Sequence, residues 1–323
     1  MISMKRFTTS FLFVLTILLA AQFASAQRLQ VPQASQKAGV MQRIGLSDIS
    51  ITYSRPAVKG RVVFADWPVP APGEATLDNQ NTRPKDAPLV PWGHVWRAGA
   101  NEATIFEIND DVLINGQPLA AGRYLLAAVP SKEGDWTFIF NKDADQWGAF
   151  SYDAAKDVLR VKTKSQSAAE SQEWLTYSID ATGADSATVS LRWEKLAVPF
   201  TVKVPDVNAK AIAHLRTTVA NAKPDDFATP LSAAGFARSN KANDDANKWI
   251  DQAIKAIDLN IATKPNFANT SRKAQILFQA GRNQEGIAAG EKAIAIGKAD
   301  STVKPADIAA LEKRIADAKA AKP

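Results

Sequence analysis

Apolar and polar residues alternate with a period of two from about residue 30 to residue 204. In ISITY (49–53), Ile49, Ile51 and Tyr53 fall on one face, and the two polar residues fall on the other. This alternation is typical of a strand with one buried face. The same reasoning predicts further strands at 62–64, 103–108, 112–114, 124–129, 136–140, 158–162, 174–179, 187–193 and 200–204.

Turn signals separate these short strands. Asn115-Gly116 directly follows an apolar run, and both residue types tolerate the positive φ of a type I′ hairpin turn. Many short strands without an intervening helical period predict an antiparallel β-sandwich or jelly-roll-like domain. The segment 65–91 contains six prolines and little apolar periodicity, so we expect a long surface loop there.

The period becomes helical after Asp206, which we expect to cap the first helix. The pair 270–280 and 283–297 is joined by a tight connection, which predicts a helical hairpin of the tetratricopeptide (TPR) type. The second part of the chain is therefore predicted to be an all-α, TPR-like domain. Five apolar stripes support this prediction: Ile212, Leu215 and Val219; Ala246, Trp249, Ile250, Ala253 and Ile257; Ala274, Leu277 and Phe278; Ile287, Gly290 and Ile294; and Ile308, Leu311 and Ile315.

The first residues have the pattern of a secretory signal. Lys5 and Arg6 precede the apolar run 11–21, and small residues at 24–26 predict cleavage between Ala26 and Gln27. The expected organisation is thus a signal peptide at 1–26, a β-sandwich domain at 27–204 and a helical domain at 205–323. We expect a bacterial periplasmic or secreted protein with no membrane span after cleavage.

The amino-acid composition excludes several classes of site and partner. The chain contains no cysteine, which excludes disulfides and thiolate metal ligands. It has two histidines, His94 and His214, so we expect no metal site and no catalytic histidine. The formal net charge of +6 is spread along the chain, whereas nucleic-acid binding requires a concentrated basic face, so no nucleic-acid partner is expected. No cofactor motif is present, because the glycine spacing in GANEAT does not fit a phosphate loop.

Four stretches in order carry a family resemblance: YSRPAVKGR (53–61), WGHVWRAGANEAT (92–104), INGQPLAAGRYLL (114–126), and FNKDADQWGAFSYD (140–153) followed by DVLRV (157–161). Together they resemble the exported bacterial family called domain of unknown function 2911. The resemblance covers roughly residues 30–204, and the helical part resembles an extension that some members carry. It implies a secreted β-rich domain and brings no activity with it.

The polar and aromatic residues of these stretches form the candidate binding site. They lie in turns or at strand ends, where they can converge above a sandwich. Arginine suits carboxylate or phosphate groups, and tryptophan stacks on sugar faces, so an acidic or carbohydrate ligand is expected. The candidates are Arg55, Lys59, Arg61, Trp92, Trp96, Arg97, Asn101, Glu102, Asn141, Lys142 and Trp147.

Three interpretations of these residues stay open. In the structural one, the segment 92–104 is a sheet corner, and Arg97 pairs with Glu102 or with an acid of the 143–145 turn. In the second, the protein is a non-enzymatic binding or interaction module, whose helices also offer a surface to a protein or peptide partner. In the third, it is a carbohydrate-active hydrolase that uses Glu102 with Asp143 or Asp145.

Overall fold

The computed structural model describes residues 31–68, 84–149 and 151–320. The predicted signal peptide and its cleavage site at Ala26 and Gln27 lie outside this range, as do residues 69–83 of the predicted long loop. Within the described residues, every strand precedes every helix. The fold is therefore a β-rich N-terminal part followed by a helical part, as the change of period predicts.

The described strands range in length from two residues in β3 and β4 to 18 residues in β12. Residues 154–156 form a single 3₁₀ turn between two of them. The strands are β1 (Gln36–Ile44), β2 (Ser47–Arg55), β3 (Phe64–Ala65), β4 (Val90–Pro91), β5 (Ile105–Ile108), β6 (Val112–Ile114), β7 (Gln117–Leu119), β8 (Gly122–Val129), β9 (Trp136–Asn141), β10 (Asp157–Thr163), β11 (Gln166–Ala181) and β12 (Ser186–Lys203).

Two antiparallel sheets build the β-rich part. In the described residues, one sheet has the order β1-β2-β5-β8-β9-β10 and the other the order β11-β12-β6-β7. Ile49 and Phe138 of the first sheet and Leu191 and Val202 of the second are fully buried in one shared core. The two sheets thus pack face to face, which confirms the predicted antiparallel sandwich.

The hairpin at Asn115-Gly116 is confirmed. Asn115 has φ 45° and Gly116 has φ 80°, and Ile114 pairs with Gln117 across the turn. The separate strands predicted at 187–193 and 200–204 are, in contrast, one continuous strand, β12. Glu194 in its middle has φ 51°, and the pairing register with β11 shifts there, which produces an irregularity within the strand.

The strand predicted at 62–64 is shifted to Phe64–Ala65. This strand, β3, pairs in parallel with β4, so the two ends of the segment 65–91 lie side by side. The strand β1 has no counterpart among the sequence predictions. In this edge strand, exposed and half-buried residues alternate, and only Ile44 is buried.

Six helices follow in the described residues, and the five predicted apolar stripes fall on five of them. The helix without a predicted stripe buries alanines, including Ala233, Ala234 and Ala237, which give a weak hydrophobic signal. Asp206 precedes the first helix but makes no side-chain cap hydrogen bond. The helices are α1 (Val207–Ala220), α2 (Ala228–Ser239), α3 (Asn243–Thr263), α4 (Phe267–Gln279), α5 (Asn283–Ala299) and α6 (Pro305–Ala320).

The turns between α2 and α3 and between α4 and α5 have the same geometry. Lys241 and Gly281 occupy equivalent positions, with φ 62° and 76°. In the first turn, the backbone amide of Ala242 donates to the carbonyl of Ala237, five residues earlier, at 2.8 Å. In the second turn, the amide of Arg282 donates to the carbonyl of Leu277 at 2.9 Å. This pattern is a Schellman-type helix end, and it makes the two helical hairpins structurally equivalent.

The helices have hydrophobic clusters of their own. Trp249 of α3 and Leu277 of α4 lie in one cluster that contains no residue of the sheets. The contact with the sandwich is made by α1. Val207 packs against the sandwich core, and Lys210 forms a 3.0 Å ion pair with Asp110. No helix in the described ranges is both long and apolar enough to cross a membrane.

We predict that residues 27–204 fold without the helices, because the sandwich core is complete before α1 begins. The fragment 27–204 should give a β-type circular dichroism spectrum and a cooperative thermal transition. An insoluble or non-cooperative fragment would show that α1 belongs to the same folding unit and that the predicted domain boundary is misplaced.

Candidate functional site

The segment 92–104 forms an irregular corner that covers one face of the six-stranded sheet. Trp96 forms a two-way backbone bridge with Ala128 of β8, with N···O distances of 2.8 and 2.7 Å. Gly93, Ala98 and Asn101 have φ values of 79°, 50° and 59°, which allow the chain to change direction at each point. The geometry of this segment is that of a sheet corner.

An aromatic cluster fixes this corner to the core. The ring of Trp96 is 4 % exposed and stacks on Trp193 of β12, with centroids 5.9 Å apart. Its indole Nε1 donates to the Gly99 carbonyl at 3.0 Å. Trp92 stacks on Phe64 at 5.1 Å. Of the proposed ligand-binding tryptophans, Trp92 and Trp96 are therefore engaged in packing.

The predicted pairing of Arg97 is wrong. In the described residues, no ion pair joins Arg97 to Glu102 or to an acid of the 143–145 turn. Arg97 Nη1 instead donates to the Asn101 carbonyl at 2.5 Å and so closes its own turn. The carboxylate of Glu102 points toward β2, where it accepts a long 3.4 Å hydrogen bond from the Ser54 hydroxyl. A guanidinium can satisfy its donors with backbone carbonyls, which the sequence pattern does not reveal.

The acids of the 143–145 turn pair with other cations. Asp143 forms a 2.7 Å ion pair with Lys156 beside the 3₁₀ turn. Asp145 forms a 2.5 Å ion pair with Arg123 of β8, and its side chain is 86 % exposed. The two carboxylates thus bind cations in different parts of the structure, and Asp145 is the more exposed of the two.

The basic residues of the YSRPAVKGR stretch make contacts within the β-rich part. Arg55 Nε donates to the Leu175 carbonyl of β11 at 2.8 Å. Arg61 donates to two carbonyl groups of its own turn. The Lys59 ammonium lies 5.9 Å from the centroid of Trp174, at cation–π distance. Arg55 and Lys59 thus contact β11, Arg61 stabilises its own turn, and none of the three lines the same cleft as the other candidates.

Asn141 has a structural role in the turn after β9. It is fully buried; its amide donates to Asp157 at 2.7 Å, and its Oδ1 accepts from the Asp143 amide at 2.8 Å. Tyr152 donates to the same Asp157 at 2.8 Å, and burial followed by this bond raises the pKa of Tyr152 to about 12. The neighbouring candidate Lys142 is exposed. This network shapes the turn that carries Asp145 and Trp147.

An open cleft of about 380 Å³ lies where the corner meets this turn. It brings together Glu102, Asp145 and Trp147 from the predicted candidates. A backbone bridge between Glu102 and Trp147 holds two of them side by side. The cleft is lined by Lys37, Thr52, Tyr53, Ser54, Glu102, Ala103, Ile105, Arg123, Ala144, Asp145, Gln146 and Trp147.

Lys37, Arg123 and Gln146 also line this cleft, and the sequence did not predict them. Arg123 stands on the outer face of the six-stranded sheet, directly opposite Glu107 of β5. Strand alternation shows that Arg123 points away from the core, but only the order of strands in the sheet shows what lies beside it.

The cleft contains both charges together with hydrogen-bonding and aromatic groups. Lys37 and Arg123 can bind a carboxylate group. Glu102 and Asp145 can accept hydrogen bonds from hydroxyl groups, and Gln146 can both accept and donate them. Trp147 provides an apolar surface at its edge. In the described part of the chain, no group of three His, Asp or Glu side chains is arranged as ligands of one metal ion.

We predict that Trp96→Ala lowers the free energy of unfolding by about 3–5 kcal/mol, because it removes a buried indole ring and the stacking contact of that ring with Trp193. Urea unfolding followed by fluorescence measures this change. Val62→Ala is the control, since Val62 is 62 % exposed and should shift stability by at most about 0.5 kcal/mol. Equal stability of the two variants would disprove the anchoring role of Trp96.

A comparison with protein families identifies residues 35–202, just over half of the chain, as matching the family described as "Protein of unknown function (DUF2911)". The matched range runs from the residue before β1 to the penultimate residue of β12, and it includes every residue that lines the cleft. No curated protein and no solved structure matches the chain. On the family match, the chain belongs to the DUF2911 family.

Proposed function

We propose that this protein is an exported, non-enzymatic binding module whose β-domain cleft holds a carbohydrate. One observation supports this most directly: Glu102, Gln146, Trp147 and the Arg123–Asp145 ion pair line a single open cleft. Sugar sites in proteins combine planar polar groups, which bond to hydroxyl groups, with an aromatic surface for the C–H face of the ring. The volume of about 380 Å³ suits a small ligand such as one or two sugar rings.

The charges of the cleft favour a sugar over a simple anion. Asp145 already neutralises Arg123, so the pair acts as a set of fixed donors and acceptors rather than as a free cation. Glu102 adds a carboxylate that would repel a bare anion but accept hydrogen bonds from hydroxyl groups. Lys37 at the rim can still hold the carboxylate of an acidic sugar.

We expect binding of at least one sugar by the mature chain in isothermal titration calorimetry against glucose, N-acetylglucosamine, galacturonate and their disaccharides. Glu102→Gln should weaken that binding by about tenfold, because it removes a charge-assisted hydrogen bond. Glu133→Gln is the matched control: Glu133 is exposed in the turn before β9 and does not line the cleft.

The same titrations distinguish the other outcomes. Equal affinities of the two variants would place the sugar elsewhere, and no heat with any sugar would refute carbohydrate binding at the cleft.

The alternative function is a carbohydrate-active hydrolase, and it is favoured by the presence of both Glu102 and Asp145 along the cleft. Glycoside hydrolysis needs two carboxylates on opposite sides of the scissile bond. In this alternative, Asp145, which pairs with Arg123, would be the nucleophile or base, and Glu102 would be the acid. Release of reducing ends in the titrated samples, abolished by Glu102→Gln and by Asp145→Asn, would establish this alternative.

Export to the periplasm or the exterior is the second part of the proposal. It is supported by Lys5-Arg6, the apolar run 11–21 and the small residues before Gln27. N-terminal sequencing of the protein from an envelope fraction should begin at Gln27, and an intact Met1 would contradict export with cleavage at this site.

The third part of the proposal is that the TPR-like helices bind a protein partner. The two equivalent helical hairpins offer a repeated surface for such a partner.

A further inference from the structure

A second open groove, of about 630 Å³, lies between α4 and α6. Phe267 and Leu311 are apolar residues that line it: Phe267 is half-buried, and Leu311 lies below the surface with 5 % exposure. Two arginines, Arg272 from α4 and Arg314 from α6, stand along the groove and are exposed to solvent. The groove therefore combines apolar surface with a guanidinium group from each of its two helices.

The arginines of the helical part have partners of two kinds. Arg238 donates to the Gln279 carbonyl at 2.8 Å, whereas two other arginines pair with acids. Arg216 forms a two-bond ion pair with Asp245, and Arg282 pairs with two acids. Within the described residues, neither Arg272 nor Arg314 has an acidic partner within 4.0 Å. The positive charge along the groove is thus not neutralised by neighbouring acids of the described chain.

Neutral contacts hold both guanidinium groups in place. Arg272 Nη1 donates to the side chain of Gln275 at 3.0 Å, one turn further along α4. The Arg314 guanidinium lies 5.7 Å from the ring centroid of Phe278. A guanidinium over an aromatic ring keeps its N–H edges available, and its planar fork matches a carboxylate. Such positioning reduces the conformational entropy lost when a carboxylate binds.

Asp307 is the acid that lines the groove, and it does not pair with either arginine. One carboxylate against two guanidinium groups leaves an excess of positive charge. An acidic ligand would balance this excess, and the apolar surface at Phe267 and Leu311 would cover a hydrophobic side chain of the same ligand.

We propose that the groove between α4 and α6 binds an acidic peptide segment of another protein, in which carboxylate side chains alternate with apolar ones. Its carboxylates bond to Arg272 and Arg314, and an apolar side chain packs on Phe267 and Leu311. This inference deepens the helical part of the proposed function and is independent of the sugar cleft, which is formed by other elements.

Fluorescence anisotropy with the full-length mature chain tests the proposal. The probe is a short labelled peptide in which glutamate and leucine alternate, and the matched peptide has glutamine in place of every glutamate. We expect the acidic peptide to bind and the glutamine peptide not to bind. Raising the salt concentration from about 0.1 M to about 1 M should weaken binding strongly, because the attraction is screened.

Arg272→Gln and Arg314→Gln should each weaken binding of the acidic peptide by about tenfold, and the double variant should abolish it. Lys255→Gln is the matched control, since Lys255 is an exposed cation of α3 that does not line the groove. Glu102→Gln should bind the peptide as the parent does, which separates this test from failure of the sugar site.

Three results would overturn the proposal: no binding of the acidic peptide at low salt, equal binding of the glutamine peptide, or equal losses in the groove variants and Lys255→Gln. Circular dichroism checks that the helices are intact. If a glutamine variant unfolds, Arg272→Lys and Arg314→Lys keep the charge but lose the planar fork. Reduced binding by these variants supports the proposal, and parent-like binding overturns it.

Discussion

The stacking of Trp96 on Trp193 is the contact on which the arrangement of the β-rich part depends. Trp96 belongs to the irregular corner, and Trp193 belongs to β12 of the four-stranded sheet. The corner also bonds to β8 of the six-stranded sheet through the Trp96–Ala128 bridge. One buried residue thus connects a loop to both sheets, and the large apolar area of an indole makes this connection strong.

The position of the cleft follows from this anchoring. Leu125, Ala127 and Ile139 are buried on the outer face of the six-stranded sheet, in a small second core that also contains Ala103. Covering these side chains requires the corner and the turn that follows β9. Glu102 emerges at the margin of this cover, next to the residues that stay open to solvent. The structural and binding interpretations of the segment 92–104 are therefore compatible, because a rigid corner holds a binding side chain in a fixed direction.

Local signals in the sequence predicted much of the fold and less of the site. The Asn115-Gly116 turn and the alternation around Ile49 are properties of neighbouring residues, so the sequence could reveal them. The bond from Arg97 to the Asn101 carbonyl could not be predicted in this way, because a backbone carbonyl is present at every residue and leaves no trace in residue identity. Arg123 joins the cleft only because β8 lies beside β5, and strand order is a long-range property.

The junction of the β-rich and helical parts lies apart from both grooves. Val207 packs so closely on the β1–β2 turn that an added Cβ at Gly45 would lie 2.3 Å from it. Asp110 bonds to Ser47 and Lys210, and these bonds, the first more than the second, lower the pKa of its carboxyl. These contacts involve α1 and the end of the sandwich, whereas the cleft of the β-rich part lies on the outer sheet face and the second groove lies between α4 and α6. Neither groove contains a junction residue, so ligand binding at one groove can proceed without rearranging the contacts that α1 makes with the sandwich.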